Sequence, residues 1–221
     1  MSIITTEAHL RAEIVTVGKR LYERGLIVAG DGNISARLSD DTILITPAGM
    51  AKHELTPDDL VVVTLEGVLL RGQAGRRPSS EQLIHLAVYQ QRPEIMACVH
   101  AHPPTAVAAT LAGVSMEVPL LPEAILALGP VPTAPYARTG TAALSDAIRP
   151  YIADHTAMLL AYHGALTYGA SPRAAFELME QIEHCAKMLL AAHQFGGAQP
   201  LPQAQINEII ALRMAHQKGI T

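Results

Sequence analysis

The apolar residues of this chain change period along its length, and that change limits it to a fold that layers helices on a sheet. Leu10, Ile14, Val17 and Leu21 recur at helical spacing, with Thr6 as an N-cap and Gly25 as a stop, so a helix is expected over 6–24. After the turn-forming Gly30-Asp31-Gly32-Asn33 the pattern becomes alternation. Ile34, Ala36 and Leu38 mark one strand, and Asp40-Asp41 turns the chain into a second over 42–46. Residues 60–65 and 68–71 read as two more short strands around Glu66-Gly67. The Gly- and Arg-rich stretch 72–78, with Arg76 and Arg77, reads as a solvated loop. Ser79 and Ser80 sit where a helix would start; Leu83, Ile84, Ala87 and Val88 supply its apolar face, and Pro93 ends it. A strand over 95–102 and a helix over 105–111 follow. Residues 118–136 contain five prolines and read as irregular or as holding short strands. The remainder reads as a helix over 142–153, a buried strand from Ala157 to His163 ending at Gly164, and two final helices. The first of these starts at Ser171-Pro172 and runs to Gln194; the second covers 203–218. No repeat, low-complexity tract or linker interrupts this order. One α/β domain over 1–221 with a mixed sheet is expected.

Composition excludes several functions. With 16 basic against 20 acidic residues, the formal charge of −4 offers no excess of cations for a phosphodiester backbone. Aromatic residues are 4% and Trp is absent, so base-stacking platforms are not expected, and nucleic acid is not an expected partner. No apolar run approaches the roughly 18 residues of a membrane span. Met1 to Arg11 shows no continuous apolar stretch of the secretory kind. Two cysteines, Cys98 and Cys185, cannot build a disulfide framework, which leads to the expectation of a soluble cytoplasmic protein with free thiols.

Ten histidines are many for this composition, and imidazole suits both metal binding and proton transfer near neutral pH. His100-Ala101-His102 on a strand puts two imidazoles on one face, where they can chelate one transition ion or simply hydrogen-bond at a strand end. Cys98 shares that face and reads as a small core residue. His163-Gly164 emerges from a buried strand; with His100 and His102 it completes a three-histidine set that leaves a coordination position for substrate. His85, His155, His184 and His193 have no partner at ligand spacing and read as surface or packing residues. Ser79-Ser80-Glu81 suits a helix N-terminus through caps and dipole. The same N–H groups and hydroxyls can bind phosphate, with Glu81 beside them as metal ligand or general base. Gly32-Asn33 and Thr46-Pro47-Ala48-Gly49 can present N–H groups to an anion, or be ordinary turns. No nucleotide-binding glycine loop is present.

In this order, Gly32-Asn33-Ile34-Ser35, Ile45-Thr46-Pro47-Ala48-Gly49, Ser79-Ser80-Glu81, Val99-His100-Ala101-His102, Pro135-Tyr136-Ala137 with Gly140-Thr141, and His163-Gly164 resemble the class II aldolase/adducin family. The resemblance runs over nearly the whole chain, 8–215. It implies a three-layer α/β/α domain with a central mixed, mostly antiparallel sheet. It implies a zinc ion, or another divalent transition metal, on His100, His102 and His163, with Glu81 at or beside the metal as acid/base. It implies a phosphate site at Asn33, Gly49, Ser79 and Ser80, and a homotetramer with the site near a subunit boundary. The activity implied is zinc-dependent cleavage of a ketose 1-phosphate to dihydroxyacetone phosphate and an aldehyde, through a metal-stabilised enediolate. Two positions depart from the family pattern. Ala48 stands where sugar-phosphate aldolases commonly carry Ser or Thr. Leu121 stands where a proton-donating tyrosine aligns, leaving Glu123 as either a substitute donor or a helix-start acid. These departures keep a second reading open, a metal-dependent decarboxylase of a sugar-acid phosphate or related acid. The family's epimerases use an Asp after the histidine pair, and none occurs between Asp59 and Asp146. Adducin-like interaction modules lose the metal ligands that this chain keeps. Residues 118–123 and the C-terminal helix are expected to shape substrate choice.

Overall fold

A computed structural model describes residues 6–117 and 121–217. The first helix, α1 (Glu7–Glu23), starts where Thr6 Oγ1 accepts the His9 N–H at 3.3 Å, and stops at Gly25, whose φ is +68°. Four short strands follow: β1 (Asn33–Arg37), β2 (Thr42–Ile45), β3 (Val61–Thr64) and β4 (Leu69–Arg71). Then come α2 (Gln82–Gln91), β5 (Ala97–Ala101), α3 (Pro104–Leu111), α4 (Pro122–Ala127) and β6 (Thr133–Ala134). The chain continues through α5 (Ala142–Ile152), β7 (Ala157–Leu160), β8 (Gly164–Gly169), α6 (Pro172–Gln194) and α7 (Gln203–Gln217).

The strands form one eight-stranded sheet in the order β4-β3-β2-β1-β5-β8-β7-β6. Every pairing is antiparallel except β6 with β7. Alternation splits β2, β3, β5, β7 and β8 between two cores. Ile34, Leu44, Val62, Val99, Leu159 and Ala165 join α1 and α6 residues such as Ile14, Leu21, Phe176 and Ile182 in one cluster. Ile43, Val63, Cys98, Met158, Leu166 and Tyr168 join α2 and α5 through Ile84, Val88, Leu144 and Ile148 in the other. The result is the expected three-layer α/β/α arrangement. At about 1.5–3 kcal/mol for each fully buried aliphatic side chain, these two clusters are the main force holding the layers together.

The register places the polar residues. Asn33 on β1 lies opposite His100 on β5, and Ser35 lies opposite Cys98. All four face the α2 side of the sheet, the side on which Cys98 packs with the α2 core. Asn33, Ser35 and His100 are buried polar residues that interrupt that core, so each requires a partner.

Three elements differ from expectation. The strand expected over 157–163 ends at Leu160, the chain turns, and Gly164 opens a new strand, β8, that pairs back on β7 and β5. The turn is closed by the His163 N–H on Leu160 O at 3.0 Å, and Tyr162 in it has φ +61°. Gly or Asn would normally fill such a position; a tyrosine hides the turn from composition. The proline-rich 118–136 contains a helix, α4, with Pro122 in its first turn, besides the short strand β6; residues 118–120 lie outside the described residues. Arg76 is not free in solvent but reaches Asp59 Oδ1 at 2.6 Å.

The exposed Tyr162 holds a left-handed conformation that costs a bulky residue about 1–3 kcal/mol. Tyr162→Asn is therefore expected to raise stability by about 1 kcal/mol, seen as a rise of roughly 2–4 °C in Tm. An unchanged or lower Tm would mean that the ring's contacts outweigh the strain.

Candidate functional site

Four side chains converge at the ends of β5, β8 and α2. His100 and His102 leave β5 on the same face, His163 sits in the β7–β8 turn, and Glu81 occupies the N-cap position of α2. One ligand atom from each lies within 4.8 Å of all the others. Glu81 Oε2 is 3.2 Å from His100 Nε2, Glu81 Oε1 is 3.2 Å from His163 Nε2, and the Nε2 atoms of His100 and His102 are 3.2 Å apart. Close approach requires the glycine after His163. A Cβ on Gly164 would lie 2.5 Å from Ala101 O and 2.7 Å from His102 Cδ2.

The imidazoles are set up as electron-pair donors. His100 Nδ1–H donates to Ala165 O at 2.9 Å, which fixes the ring with Nε2 facing the group. His102 Nδ1 faces Asp31 Oδ2 at 3.4 Å, the carboxylate–histidine pairing common behind metal ligands. Burial, with His100 and His163 beside it, pushes the His102 pKa down to about 4, so its ring is neutral. Burial acts to raise the Glu81 carboxyl, but the neighbouring His100 and His163 imidazoles outweigh it and hold the group well below the usual carboxylate range. Buried Glu81 Oε1 and His163 Nδ1 have no hydrogen-bond partner among the described residues. Three imidazoles and a carboxylate with an unpartnered oxygen are a donor set that fits a divalent transition ion.

A cavity of about 520 Å³ opens over this group. Asn33, Gly49, Ser79 and Ser80 all line it, together with Asp31, Ala48, Lys52, Thr139 and Gly140. The helix expected to begin at Ser79-Ser80 begins two residues later. Ser79 Oγ accepts the Glu81 N–H at 3.3 Å, while Ser80 is exposed. Leu121 lines a separate cavity of about 600 Å³ beside α4, α6 and α7. Glu123 is exposed in the first turn of α4, where an acid complements the helix dipole, and neither Leu121 nor Glu123 lines the site.

His85 takes the packing place, of the surface or packing places its sequence allowed, and does more there than pack. It is fully buried on α2, one turn beyond Glu81. Glu81 accepts only, so Asn33 must present Nδ2 to it, at 3.2 Å, and turn Oδ1 toward His85. His85 Nε2 must then carry the proton and donate to Asn33 Oδ1. Its Nδ1 accepts from Ser35 Oγ at 2.7 Å, and Ser35 Oγ accepts from Tyr89 OH at 2.8 Å. Burial pushes the His85 pKa down to about 3, so this single tautomer persists. The spacing of Glu81 and His85, four residues apart at a helix start, was the available signal. Lys52, 2% exposed, was also missed. A lysine is read as solvated by default, and nothing in its neighbours marked it otherwise.

Residues 12–190 match the model of the family described as class II aldolase and adducin N-terminal domain. The chain belongs to the class II aldolase and adducin family. This family member is 35% identical over 201 residues to a 5-deoxy-D-ribulose 1-phosphate aldolase of Bacillus thuringiensis serovar kurstaki, covering 90% of this chain and 92% of that one. It is 35% identical over 190 residues to a 3-oxo-tetronate 4-phosphate decarboxylase of Pectobacterium atrosepticum, covering 84% and 86%. Among solved structures, the L-fuculose-1-phosphate aldolase of Thermus thermophilus superposes with a TM-score of 0.76 at 34% identity, covering 87% of this chain and 98% of that one. The family fold is thus that of the eight-stranded α/β/α sheet described above. No described helix of this class II aldolase family member is long and apolar enough to cross a membrane.

Proposed function

We propose that this protein is a zinc-dependent aldolase that cleaves a ketose 1-phosphate to dihydroxyacetone phosphate and an aldehyde. One observation carries the reading. The carboxylate of Glu81 lies 3.2 Å from two imidazoles of a three-histidine group and opens on a cavity lined by Asn33, Gly49, Ser79 and Ser80. In this reading His100, His102 and His163 hold the ion, with Glu81 as fourth ligand until substrate enters. Bound there, zinc supplies Lewis-acid polarisation of the substrate carbonyl and takes up charge as the carbon–carbon bond breaks.

The chain's own groups do the rest. Hydroxyls of Ser79 and Ser80, the Asn33 amide and the Gly49 N–H hold the phosphate, so the non-reacting end orients the reacting one. Glu81, as a carboxylate, takes the C4 hydroxyl proton; the C3–C4 bond then breaks, the aldehyde leaves and the electron pair stays on C3. Glu81 returns that proton to C3, which completes dihydroxyacetone phosphate. Asn33 and His85 keep the Glu81 carboxylate aimed along one direction. The active assembly is a homotetramer with the site near a subunit boundary.

A second reading has its own support. Decarboxylation of 3-oxo-tetronate 4-phosphate also leaves an electron pair on the carbon beside the carbonyl, and protonating it also gives dihydroxyacetone phosphate. It needs no acid/base for a leaving aldehyde, and no tyrosine is among the described residues lining the cavity. The decarboxylase relative is as similar as the aldolase relative, 35% identical in each case.

The test uses zinc-loaded protein and reads triose phosphate through a reductase-linked NADH assay. The panel is the 1-phosphates of L-fuculose, L-rhamnulose, D-ribulose and 5-deoxy-D-ribulose, with 3-oxo-tetronate 4-phosphate. Chelator-sensitive turnover of a ketose 1-phosphate is expected. Turnover of the oxo-acid alone transfers the site to the decarboxylase reading, and silence across the panel rejects both.

A further inference from the structure

The geometry points to Lys52 as the phosphate's counter-ion, a binding residue beyond the neutral donors of the proposed phosphate site. The inference rests on the reading of that cavity as a phosphate site. Lys52 lines it beside Gly49, Ser79 and Ser80, and is the only Lys or Arg among the described lining residues. It is 2% exposed, and no carboxylate lies within ion-pair distance of it among the described residues. The two acids that share the cavity with it are turned elsewhere, Asp31 toward His102 and Glu81 toward His100 and His163.

A buried ammonium without an anion is costly, and a chain that needed only to tie two loops together would do better with a neutral donor. Lys52 Nζ does tie loops, donating to Gly30 O at 2.8 Å and Met50 O at 2.6 Å. These carbonyls belong to the two loops that carry Asn33 and Gly49 to the cavity. They consume two of the three N–H bonds of an ammonium and leave one, with the full charge, for a ligand. The position is fixed from behind by α1: a Cβ on Gly18 would lie 2.4 Å from Lys52 O, so only glycine lets the helix press on this backbone. The ammonium is therefore held in place, with no carboxylate at ion-pair distance among the described residues, in a cavity whose other phosphate donors are neutral. A phosphate dianion there would gain a charge-assisted bond of the strong kind. In agreement, burial pushes the Lys52 pKa down to about 8 against the opposing pull of Asp31 and Glu81.

Two probes on zinc-loaded protein separate this role from a structural one. Dihydroxyacetone phosphate carries the phosphate; acetohydroxamate chelates zinc without one. In Lys52→Met the affinity for dihydroxyacetone phosphate, measured by calorimetry, is expected to fall by about 30-fold, the size of one hydrogen bond to a charged group. Acetohydroxamate affinity and zinc content are expected to stay within about threefold of the parent, because neither depends on that bond. Lys52→Gln, which keeps a donor for one loop carbonyl without the charge, should match Lys52→Met. Three results overturn the inference: an unchanged affinity for dihydroxyacetone phosphate, an equal loss of both probes, or full retention in Lys52→Gln. If the unsubstituted protein binds acetohydroxamate but not dihydroxyacetone phosphate, the phosphate reading of the cavity falls as well.

Discussion

In the proposed zinc aldolase, Glu81→Gln is expected to lower kcat by about 10²–10⁴-fold with no loss of fold or of bound zinc. The substitution is close to isosteric. Its amide oxygen can still accept the Asn33 Nδ2–H that now meets Glu81 Oε2 at 3.2 Å. Three imidazoles remain to hold the ion, so the lesion is confined to the proton carrier. A neutral amide neither takes a proton from carbon nor returns one. The loss should fall on kcat more than on KM, because the Asn33, Gly49, Ser79 and Ser80 donors are untouched. Metal content by elemental analysis distinguishes the two ways to fail. Full zinc with lost turnover supports Glu81 as the acid/base. Lost zinc makes it chiefly a ligand, and more than about a tenth of the parent kcat at full zinc would remove it from the proton step.

The sequence revealed those parts of the fold and site whose periodicity survives folding. His100 and His102 stand two apart on a strand, so their shared face follows from backbone geometry alone. Helices α1, α5 and α6 announce themselves through apolar spacing and, for α1 and α6, through Thr6 and Ser171, whose hydroxyls accept the expected cap bonds. Strand β8 stayed hidden for two physical reasons. Buried on both faces, its Ala-Leu-Thr-Tyr run has no alternation of polarity, and the turn before it carries Tyr162 where a glycine would have marked the break. Side chains whose significance lies in a third dimension were hidden too. His85 and Ser35 are 50 residues apart and meet only because β1 lies under α2. Lys52 differs from a surface lysine only through what packs around it.

Replacing His85 by leucine should lower kcat by about 100-fold although His85 is neither one of the four converging side chains nor part of the cavity lining. The reason is the chain of assigned protons. Without the His85 Nε2–H, nothing holds Asn33 Oδ1 away from Glu81. The amide can then turn its oxygen to the carboxylate, an arrangement of two acceptors that repels. Ser35 Oγ and Asn33 Oδ1 would also be left buried without their partner, at about 1–3 kcal/mol each. His85→Gln supplies an N–H at nearly the position of Nε2 and should recover kcat to within about tenfold of the parent. A packing role alone predicts the reverse order, with the apolar leucine the better replacement in a buried site. Acid provides an independent check. Burial depresses the His85 pKa from 6.5 to about 3, so between these values the unfolded chain binds more protons than the folded one. Its contribution to stability is complete above pH 6.5 and is lost as pH falls toward 3. Denaturant unfolding of the parent should therefore weaken across that window more steeply than that of His85→Gln, which has no proton to gain there. Parallel profiles would mean that the imidazole is not held neutral, and the single-tautomer chain from Tyr89 to Glu81 would fail with it.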